Sequence, residues 1–265
     1  MMTNCASHTF VVSAYGESQY LKDCVTSLIN QAEHSSICIA TATPNQLIQS
    51  ISREFDLPLY IRNGTPGIAD DWNFAVSCAH SPFVTIAHQD DLYSPDYSSR
   101  AVFALQKSKK PLIYFTDYGE IRHDKVAQSS QLASIKRRLL KPYSIHALRS
   151  IKAFKRMPLS LGNPICCPSV TYAVDNLPTP LFTSGLRSNL DWDAWERFSK
   201  RKGEFIYDSG YIGMYHRVHE DSETSACIVD DVRTKEDLEL LSRFWPKAIA
   251  SKINHYYSKA QDYNS

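Results

Sequence analysis

The segment His88-Gln89-Asp90-Asp91 places two adjacent carboxylates directly after an apolar run at residues 83–87. Adjacent carboxylates repel each other, and burying either one costs free energy unless a cation or several hydrogen bonds offset its charge. Magnesium and manganese take oxygen ligands and commonly join one or two carboxylates to the phosphates of a substrate. We therefore predict a divalent-metal site at Asp90 and Asp91. The alternative is a solvated acidic turn in which Asp91 caps the helix near Pro95.

A second acidic cluster, residues 189–195, contains Asp191 and Asp193 at the start of a predicted helix. Asp191 falls in the first turn of this helix, where the helix dipole stabilises an anion. Trp192 and Trp195 are three positions apart and are expected to pack inward together. The cluster is typical of a functional carboxylate, or of an ordinary helix cap above two core tryptophans.

A third cluster, residues 215–222, follows a short predicted strand and combines His216, Arg217 and His219. Imidazole and guanidinium groups suit a phosphate, a metal or the charge of a leaving group. The alternative is an ordinary polar loop.

Residues 136–156 include eight Lys or Arg residues, and no acid occurs between Asp124 and Asp175. The pattern is largely helical and restarts after Pro142. Two interpretations stay open: this stretch contacts an anionic acceptor or acidic lipid headgroups, or its apolar residues dock it on its own domain.

The elements that position these clusters alternate between apolar runs and amphipathic helices, which predicts a sheet with helices on both faces. Ligands of open α/β sheets bind at the carboxyl ends of the strands, and His88 directly follows such an end. Strands are predicted at residues 9–15, 37–41, 59–61, 83–87 and 112–118, and later at 169–174, near Phe205 and at 211–215; helices include one from Leu190 and a tail from about Val229.

The composition limits the class of protein. A chain of 265 residues can bury one sizeable core. Its 29 Lys and Arg against 28 Asp and Glu give a net charge of +1, so no nucleic-acid partner is expected. Without an apolar membrane span or a recognisable signal peptide, a cytoplasmic protein is expected. The seven cysteines are odd in number and form no CxxC pair, which favours buried free thiols.

Taken in order, these clusters resemble the family-two inverting glycosyltransferases of the GT-A fold, over about residues 8 to 225. Residues 10–15 and 27–31 resemble the family's first strand and helix, and residues 67–73 resemble its loop and helix with a characteristic Asn. The segment 88–91 occupies the position of its DxD-type motif. Residues 162–170 resemble its acceptor-side strand, 191–193 its catalytic helix start, and Arg217, His219 and Ser222 its closing R-x-H-x-x-S signature.

The resemblance implies one α/β domain of the GT-A (Rossmann-like) fold at residues 1–225, with a mixed central sheet and flanking helices. It implies a nucleotide-sugar-binding half at 1–118, a basic helical insertion at 131–158 and an acceptor-binding half at 160–225. A helical C-terminal tail is expected at 226–265.

The activity implied is transfer of a sugar, with inversion, from a nucleotide-diphosphate sugar to a glycan or lipid-linked glycan acceptor. Bacterial surface polysaccharide synthesis at the inner membrane face, with peripheral contact to anionic lipid, is the expected setting. Asp191 is the expected general base, with Asp193 in reserve, and Asp90 and Asp91 are the expected ligands of Mn²⁺ or Mg²⁺. Donor contacts are expected from Ser13, Tyr15, Thr41, Asn73, His88, Gln89, Arg217 and His219, and acceptor-side contacts from Asn163, Ser169 and Trp192.

Three positions depart from the family pattern. His88 stands where an acid is usual, Thr41-Ala42 where an acidic pair recognises the base, and Trp72 where an arginine is usual. The nucleotide base therefore stays open. Two alternative functions also stay open: a non-catalytic protein that binds a nucleotide sugar or polysaccharide, and a metal-dependent phosphohydrolase.

Overall fold

The computed structural model of the protein describes residues 7–122, 125–126, 131–183, 185–218 and 232–262. Within these residues one sheet contains the strands β1 (His8–Ala14), β2 (Ser36–Thr41), β3 (Leu59–Ile61), β4 (Phe83–His88), β5 (Leu92–Tyr93), β6 (Pro111–Arg122), β7 (Lys125–Val126), β8 (Val170–Ala173) and β9 (Glu204–Val218). The helices are α1 (Leu21–Ile29), α2 (Gln46–Glu54), α3 (Ile68–Ser77), α4 (Tyr97–Lys107), α5 (Gln131–Leu140), α6 (Lys152–Leu159), α7 (Leu190–Ser199), α8 (Val232–Ser242) and α9 (Lys247–Asp262).

The sheet has the strand order β3-β2-β1-β4-β8-β6-β9-β5, and β7 pairs with β6. Strands β3, β2, β1 and β4 are parallel to one another. Strand β8 lies between β4 and β6 and is antiparallel to both. The predicted α/β fold with a mixed central sheet is therefore confirmed.

Helices cover both faces of the sheet, because successive residues of a strand point to opposite sides. Phe10 and Val12 pack with α1, α2 and α4, whereas Val11 packs with α3. A further core cluster joins α7 to the C-terminal helices through Leu240, Leu241 and Ala250, all fully buried. The helices α8 and α9 thus share a core with the helix that begins near Asp191.

Strand β9 corrects the prediction of two separate short strands. It pairs in parallel with β6 along its length, but the register moves from Thr116↔Asp208 to Asp117↔Ile212, so residues 209–211 form a bulge. The buried carboxylate of Asp117 accepts hydrogen bonds from the Tyr207 hydroxyl at 2.6 Å and from the Gly210 amide at 3.1 Å. Asp117 therefore provides a hydrogen-bond acceptor for a backbone amide in the bulge, where the ladder between β6 and β9 is interrupted. Strand β9 continues on both sides of this bulge.

The basic insertion docks on the domain through several of its cations. The Lys155 side chain is buried, and its ammonium donates to the carbonyl oxygens of Arg201 at 2.6 Å and Gly203 at 2.9 Å. Other basic residues remain on the surface. Three further contacts hold the insertion: Arg149 with Glu204, Arg156 with Glu196, and Arg137 with the Tyr118 carbonyl.

The described cysteines are free thiols, as predicted: Cys24, Cys38, Cys78 and Cys167 are buried and Cys166 is half-buried. Cys5 and Cys227 lie outside the described residues. Within the described part of the chain, none of the helices has both the length and the apolar character needed to cross a membrane.

Candidate active site

The carboxyl ends of three parallel strands lie side by side at one edge of the sheet. Ser13 near the end of β1 pairs with His88 at the end of β4, and Ala14 pairs with Thr41 at the end of β2. This register brings the expected donor-side residues to a common edge. Ligands of open α/β sheets bind at such an edge.

Gln89 positions the segment after β1. Its side-chain Oε1 accepts from the Tyr15 amide at 3.0 Å, and its Nε2 donates to the Tyr15 carbonyl at 2.8 Å. These two bonds fix the backbone of Tyr15 and leave its ring 61% exposed at the strand ends. The Gln89 amide is thus engaged by the chain itself, and its predicted contact with the donor stays a prediction.

Asp91 is fully buried next to the last strand. Its Oδ1 accepts from His216 Nδ1 at 2.9 Å and from the Arg217 amide at 3.0 Å. Its Oδ2 has no hydrogen-bond partner among the described residues and lies 3.9 Å from His88 Nδ1. The alternative of a solvated turn with Asp91 as a helix cap is therefore wrong, since the carboxylate is buried and bound to β9.

His216 and Arg217 supply positive charge at this position. Burial lowers the pKa of His216, but the charges of Asp91 and Asp90 and the bond to Asp91 outweigh burial and raise the pKa to about 9. Arg217 is buried, and its guanidinium lies 4.2 Å from the Tyr20 ring centroid. Its Nε donates to the Asp90 carbonyl at 3.2 Å. The third cluster is thus joined to the first, while His219 and Ser222 lie outside the described residues.

Asp191 lies in the first turn of α7 and is half-buried. Its Oδ2 accepts from Asn163 Nδ2 at 2.8 Å, and its Oδ1 accepts from the Trp192 amide at 2.7 Å. Burial raises the pKa of Asp191, against the two hydrogen bonds and the charges of Lys136 and Arg233, which lower it. A carboxyl group whose pKa is raised is a better proton acceptor than an ordinary aspartate.

Asp193 is unsuited to the reserve role. It is buried, and its carboxylate accepts from Thr183 at 2.8 Å, from Arg197 at 2.8 Å and from Arg243. Burial raises the pKa of Asp193, but these three side chains outweigh burial and lower it. A carboxylate with three donors is held in its charged form as a structural anchor between α7 and α8.

Acids of the first and second clusters both lie within electrostatic range of Cys166. Burial raises the pKa of its thiol, and the charges of Asp91 and Asp191 raise it further, whereas Lys136 lowers it. Lys136 also lowers the pKa of Asp191 and of His216. This lysine on α5 thus lies near both clusters. The sequence predicted Lys136 only as one of eight cations in a basic stretch, because nothing in that stretch indicates which of them lies near the acidic clusters.

Four further residues with expected donor or acceptor contacts make side-chain hydrogen bonds within the protein, and those expected contacts stay predictions. Trp192 is fully buried and donates to the Leu159 carbonyl. Ser169 is fully buried and donates to the Cys166 carbonyl. Buried Thr41 accepts from the Thr43 amide, and Asn73 exchanges hydrogen bonds with the backbone of Phe182.

A divalent ion fits the residues at the end of β4. His88, Asp90 and Asp91 are the group found in the described residues whose ligand atoms all lie within 4.8 Å of one another. The Asp91 oxygen that lacks a donor is the kind of buried charge that a cation stabilises. Carboxylate oxygen and imidazole nitrogen are both ordinary ligands of first-row ions.

Two solved structures resemble the fold of this chain. Residues 1–349 of S. aureus TarS in complex with UDP-GlcNAc give a TM-score of 0.59 at 14% identity, covering 94% of this chain and 70% of that chain. The mannosyltransferase PcManGT from Pyrobaculum calidifontis, in complex with GDP-Man and Mn²⁺, gives 0.58 at 13% identity, covering 97% and 70%. At these identities the likeness concerns the fold.

None of the curated proteins matches the chain. The model of glycosyl transferase family 2 matches residues 9–164, which is more than half of the 265 residues. The match includes the strands β1 to β4 and the segment that follows β4. This chain belongs to glycosyl transferase family 2.

Proposed function

We propose that this protein transfers a sugar from a nucleoside diphosphate sugar to an acceptor hydroxyl, with inversion at the anomeric carbon. The observation that carries the proposal is the occurrence of two acidic groups within electrostatic range of Cys166: the cluster at the end of β4, whose Asp91 is buried, and Asp191, whose carboxylate accepts from Asn163. The carboxylates of Asp90 and Asp91 are suited to hold a cation at the donor diphosphate. The carboxylate of Asp191 is suited to remove the proton of the acceptor hydroxyl. A glycosyl transfer needs both functions at opposite sides of one sugar.

Asp191 acts as the general base in this scheme. Its carboxylate takes the proton of the acceptor hydroxyl while the acceptor oxygen bonds to the anomeric carbon. The bond from that carbon to the diphosphate oxygen breaks, and the nucleoside diphosphate departs with the electron pair. Attack from the side opposite the leaving group inverts the configuration. Asn163 positions the base, since its amide donates to the Asp191 carboxylate.

Charged groups near the acidic clusters are proposed to stabilise the departing diphosphate. Asp90 and Asp91 would hold a divalent ion, which supplies charge stabilisation for the departing diphosphate. Lys136 and His216 add positive charge of their own, and each lies close enough to alter the pKa of a neighbouring acid or thiol. Arg217 fixes the backbone of Asp90.

A nucleoside diphosphate sugar is the proposed donor, and its base is left open. The structures similar in fold were solved with UDP-GlcNAc and with GDP-Man and Mn²⁺. Ser13 and the exposed ring of Tyr15 remain proposed donor contacts at the strand ends. The Thr41 hydroxyl accepts a hydrogen bond from the Thr43 amide. We therefore do not assign to Thr41 the base-recognising role that an acidic pair has at this position in the family.

For the acceptor, we propose a lipid-linked glycan at an anionic membrane, with the protein in the cytoplasm and a role in surface polysaccharide synthesis. The insertion exposes Arg138, Lys141 and Lys152 together with Ile145 and Ile151. Exposed cations beside exposed apolar side chains suit the surface of an anionic membrane. Co-sedimentation with phosphatidylglycerol vesicles should fall as salt rises, and absence of binding at low salt would exclude the membrane.

A screen of nucleotide sugars tests the proposed function. Thermal shift in the presence of Mn²⁺ reports donor binding, and release of nucleoside diphosphate reports turnover. We expect one donor to stabilise the protein and to be consumed faster with a glycan acceptor. Stabilisation without consumption would favour the non-catalytic binding protein. Release of inorganic phosphate or nucleoside monophosphate would favour the phosphohydrolase.

A further inference from the structure

The imidazole of His88 lies beside the two aspartates that follow β4. One ligand atom from each of His88, Asp90 and Asp91 lies within 4.8 Å of the other two. Ligand atoms of one octahedral ion lie about 3 to 4 Å apart, because each bond is about 2.1 Å long. Small side-chain rotations therefore bring all three atoms within reach of one ion.

Two polar atoms of this cluster are buried and have no hydrogen-bond partner within the described residues: Asp91 Oδ2 and His88 Nε2. The Asp91 side chain is 0% exposed. His88 Nδ1 lies 3.9 Å from Asp91 Oδ2, which is too far for a hydrogen bond. A buried carboxylate oxygen without a donor is costly, and a cation between the two groups removes that cost.

The orientation of His88 is fixed by its neighbours. The Trp72 ring stacks on the imidazole with 5.1 Å between ring centroids and 24° between ring planes. Trp72 in turn packs edge-on against Phe182 at 5.0 Å. The neighbouring Asn73 holds the Phe182 backbone through two hydrogen bonds. Packing against Trp72 therefore holds the imidazole next to the aspartates. Its side chain should lose little rotational entropy when it coordinates an ion.

We propose that His88 is a direct ligand of the divalent ion and that it shifts the preference of the site from Mg²⁺ toward Co²⁺ and Mn²⁺. This inference rests on the proposed function and extends it to the choice of cation. Mg²⁺ favours oxygen ligands, whereas an imidazole nitrogen binds first-row transition ions more strongly. An imidazole in place of a carboxylate thus weakens the site for Mg²⁺ more than for Co²⁺ or Mn²⁺.

Pulsed electron paramagnetic resonance of Mn²⁺ bound to the full-length protein tests the ligand directly. Coupling of the electron spin to a ¹⁴N nucleus reports a coordinated imidazole, without any need for turnover. We expect this coupling in the wild type, its loss in His88→Asp, and its retention in His216→Gln. Persistence in His88→Asp, loss in His216→Gln alone, or no Mn²⁺ binding by the wild type would each overturn the proposal.

Calorimetric titration with CoCl₂, MnCl₂ and MgCl₂ tests the preference. The ratio of Co²⁺ to Mg²⁺ affinity should fall by about tenfold or more in His88→Asp, since one nitrogen ligand becomes an oxygen ligand. His88→Gln, which offers a weaker amide oxygen, should weaken all three ions. Circular dichroism and thermal melting of each variant establish that it is folded. An unchanged ratio in a folded His88→Asp variant would contradict the proposal.

The two sets of measurements separate the inference from the proposed function. Nitrogen coupling with no sugar donor consumed would leave His88 as a ligand and remove the transferase proposal. Sugar transfer by a protein whose bound Mn²⁺ shows no nitrogen coupling would support the transferase proposal and exclude His88 as a ligand. Each proposal thus has an outcome that contradicts it alone.

Discussion

His216 Nδ1 lies 2.9 Å from Asp91 Oδ1, although the two residues are 125 positions apart in the sequence. The Arg217 amide donates to the same oxygen at 3.0 Å. One oxygen of this buried carboxylate is thus held by the last strand, while the other faces His88. The hydrogen bonds that hold the Asp91 carboxylate are therefore complete only when β9 is in the sheet.

Asp90 is the more accessible aspartate of the pair, and its replacement tests the need for a cation. Asp90→Ala should lower turnover by about a hundredfold or more, because the leaving diphosphate loses charge stabilisation. The remaining activity should no longer respond to added Mn²⁺. Nucleoside diphosphate release across a Mn²⁺ titration measures both effects, with the exposed Asp96→Ala as the matched control. Full activity in Asp90→Ala would exclude the site.

Glu236 positions the helix that bears Asp191. Its carboxylate accepts from the backbone amides of Arg187, Ser188 and Asn189 at 2.6, 2.8 and 2.9 Å. We expect Glu236→Ala to lower kcat about tenfold while donor affinity changes little, because the base is displaced and the donor edge is intact. Loss of hydrogen bonds to a charged group should also lower the free energy of unfolding by about 2 kcal/mol.

Glu239→Ala on the same helix is the control, since Glu239 is 57% exposed and pairs with Arg243 one turn away. It should leave kcat unchanged and lower the free energy of unfolding by less than about 0.5 kcal/mol. An equal loss of kcat in Glu236→Ala and Glu239→Ala would contradict the positioning role of Glu236. It would mean that α8 affects turnover only through the stability of the protein.

Lys136 is predicted to contact the donor diphosphate. Its charge lowers the pKa of Asp191 and of His216, so it lies within electrostatic range of both. Lys136→Met should weaken donor binding about tenfold, which corresponds to about 1.4 kcal/mol. Lys152→Met, an exposed change on the same insertion, should leave donor affinity unchanged. Calorimetric titration of donor into both variants compares them, and equal affinities would contradict the role.

Asn163 is predicted to influence the pH dependence of turnover through its hydrogen bond to Asp191. Its hydrogen bond favours the charged form of Asp191 and so lowers the pKa of a group that burial raises. Asn163→Ala therefore raises that pKa further. Because the base works only as a carboxylate, activity present above the pKa is lost as pH falls through it, and this loss should begin at higher pH in the variant.

The pH profile of turnover at saturating donor measures this shift. Asn176→Ala is the control, since its amide donates to the Pro111 carbonyl outside the site. An acidic limb that stays in place, or moves to lower pH, would show that Asp191 is not the titrating base.

The sequence allowed prediction of those features that depend on local residue patterns. Alternating apolar residues and amphipathic helices indicated the sheet. The strand end followed by two acids, with the order of the later clusters, led to the proposed metal site at Asp90 and Asp91. What it could not predict depends on partners distant in the sequence. Asn73 pairs with Phe182, 109 positions away, and the Asp117 carboxylate closes the β9 bulge 93 positions away. Nothing near those residues in the sequence indicates which partner they meet.

The sequence also did not show which polar and aromatic side chains are buried. Ser169 and Trp192 are of types that often contact ligands, yet both are fully buried and bonded to nearby carbonyls. Asp191 and Asp193 are two positions apart and equally acidic in sequence. Only their surroundings, two donors around Asp191 and three donor side chains around Asp193, distinguish the proposed base from the structural carboxylate.

The transfer activity of Asp191→Asn tests the central claim most directly, measured as nucleoside diphosphate release at saturating donor beside the donor Kd. An amide of the same shape cannot take a proton from the acceptor, and a positioned base contributes about a hundredfold to ten-thousandfold. We predict a loss of turnover in that range with the donor Kd changed less than about threefold. Turnover close to that of the wild type, or collapse of donor binding, would contradict the assignment of Asp191 as the base.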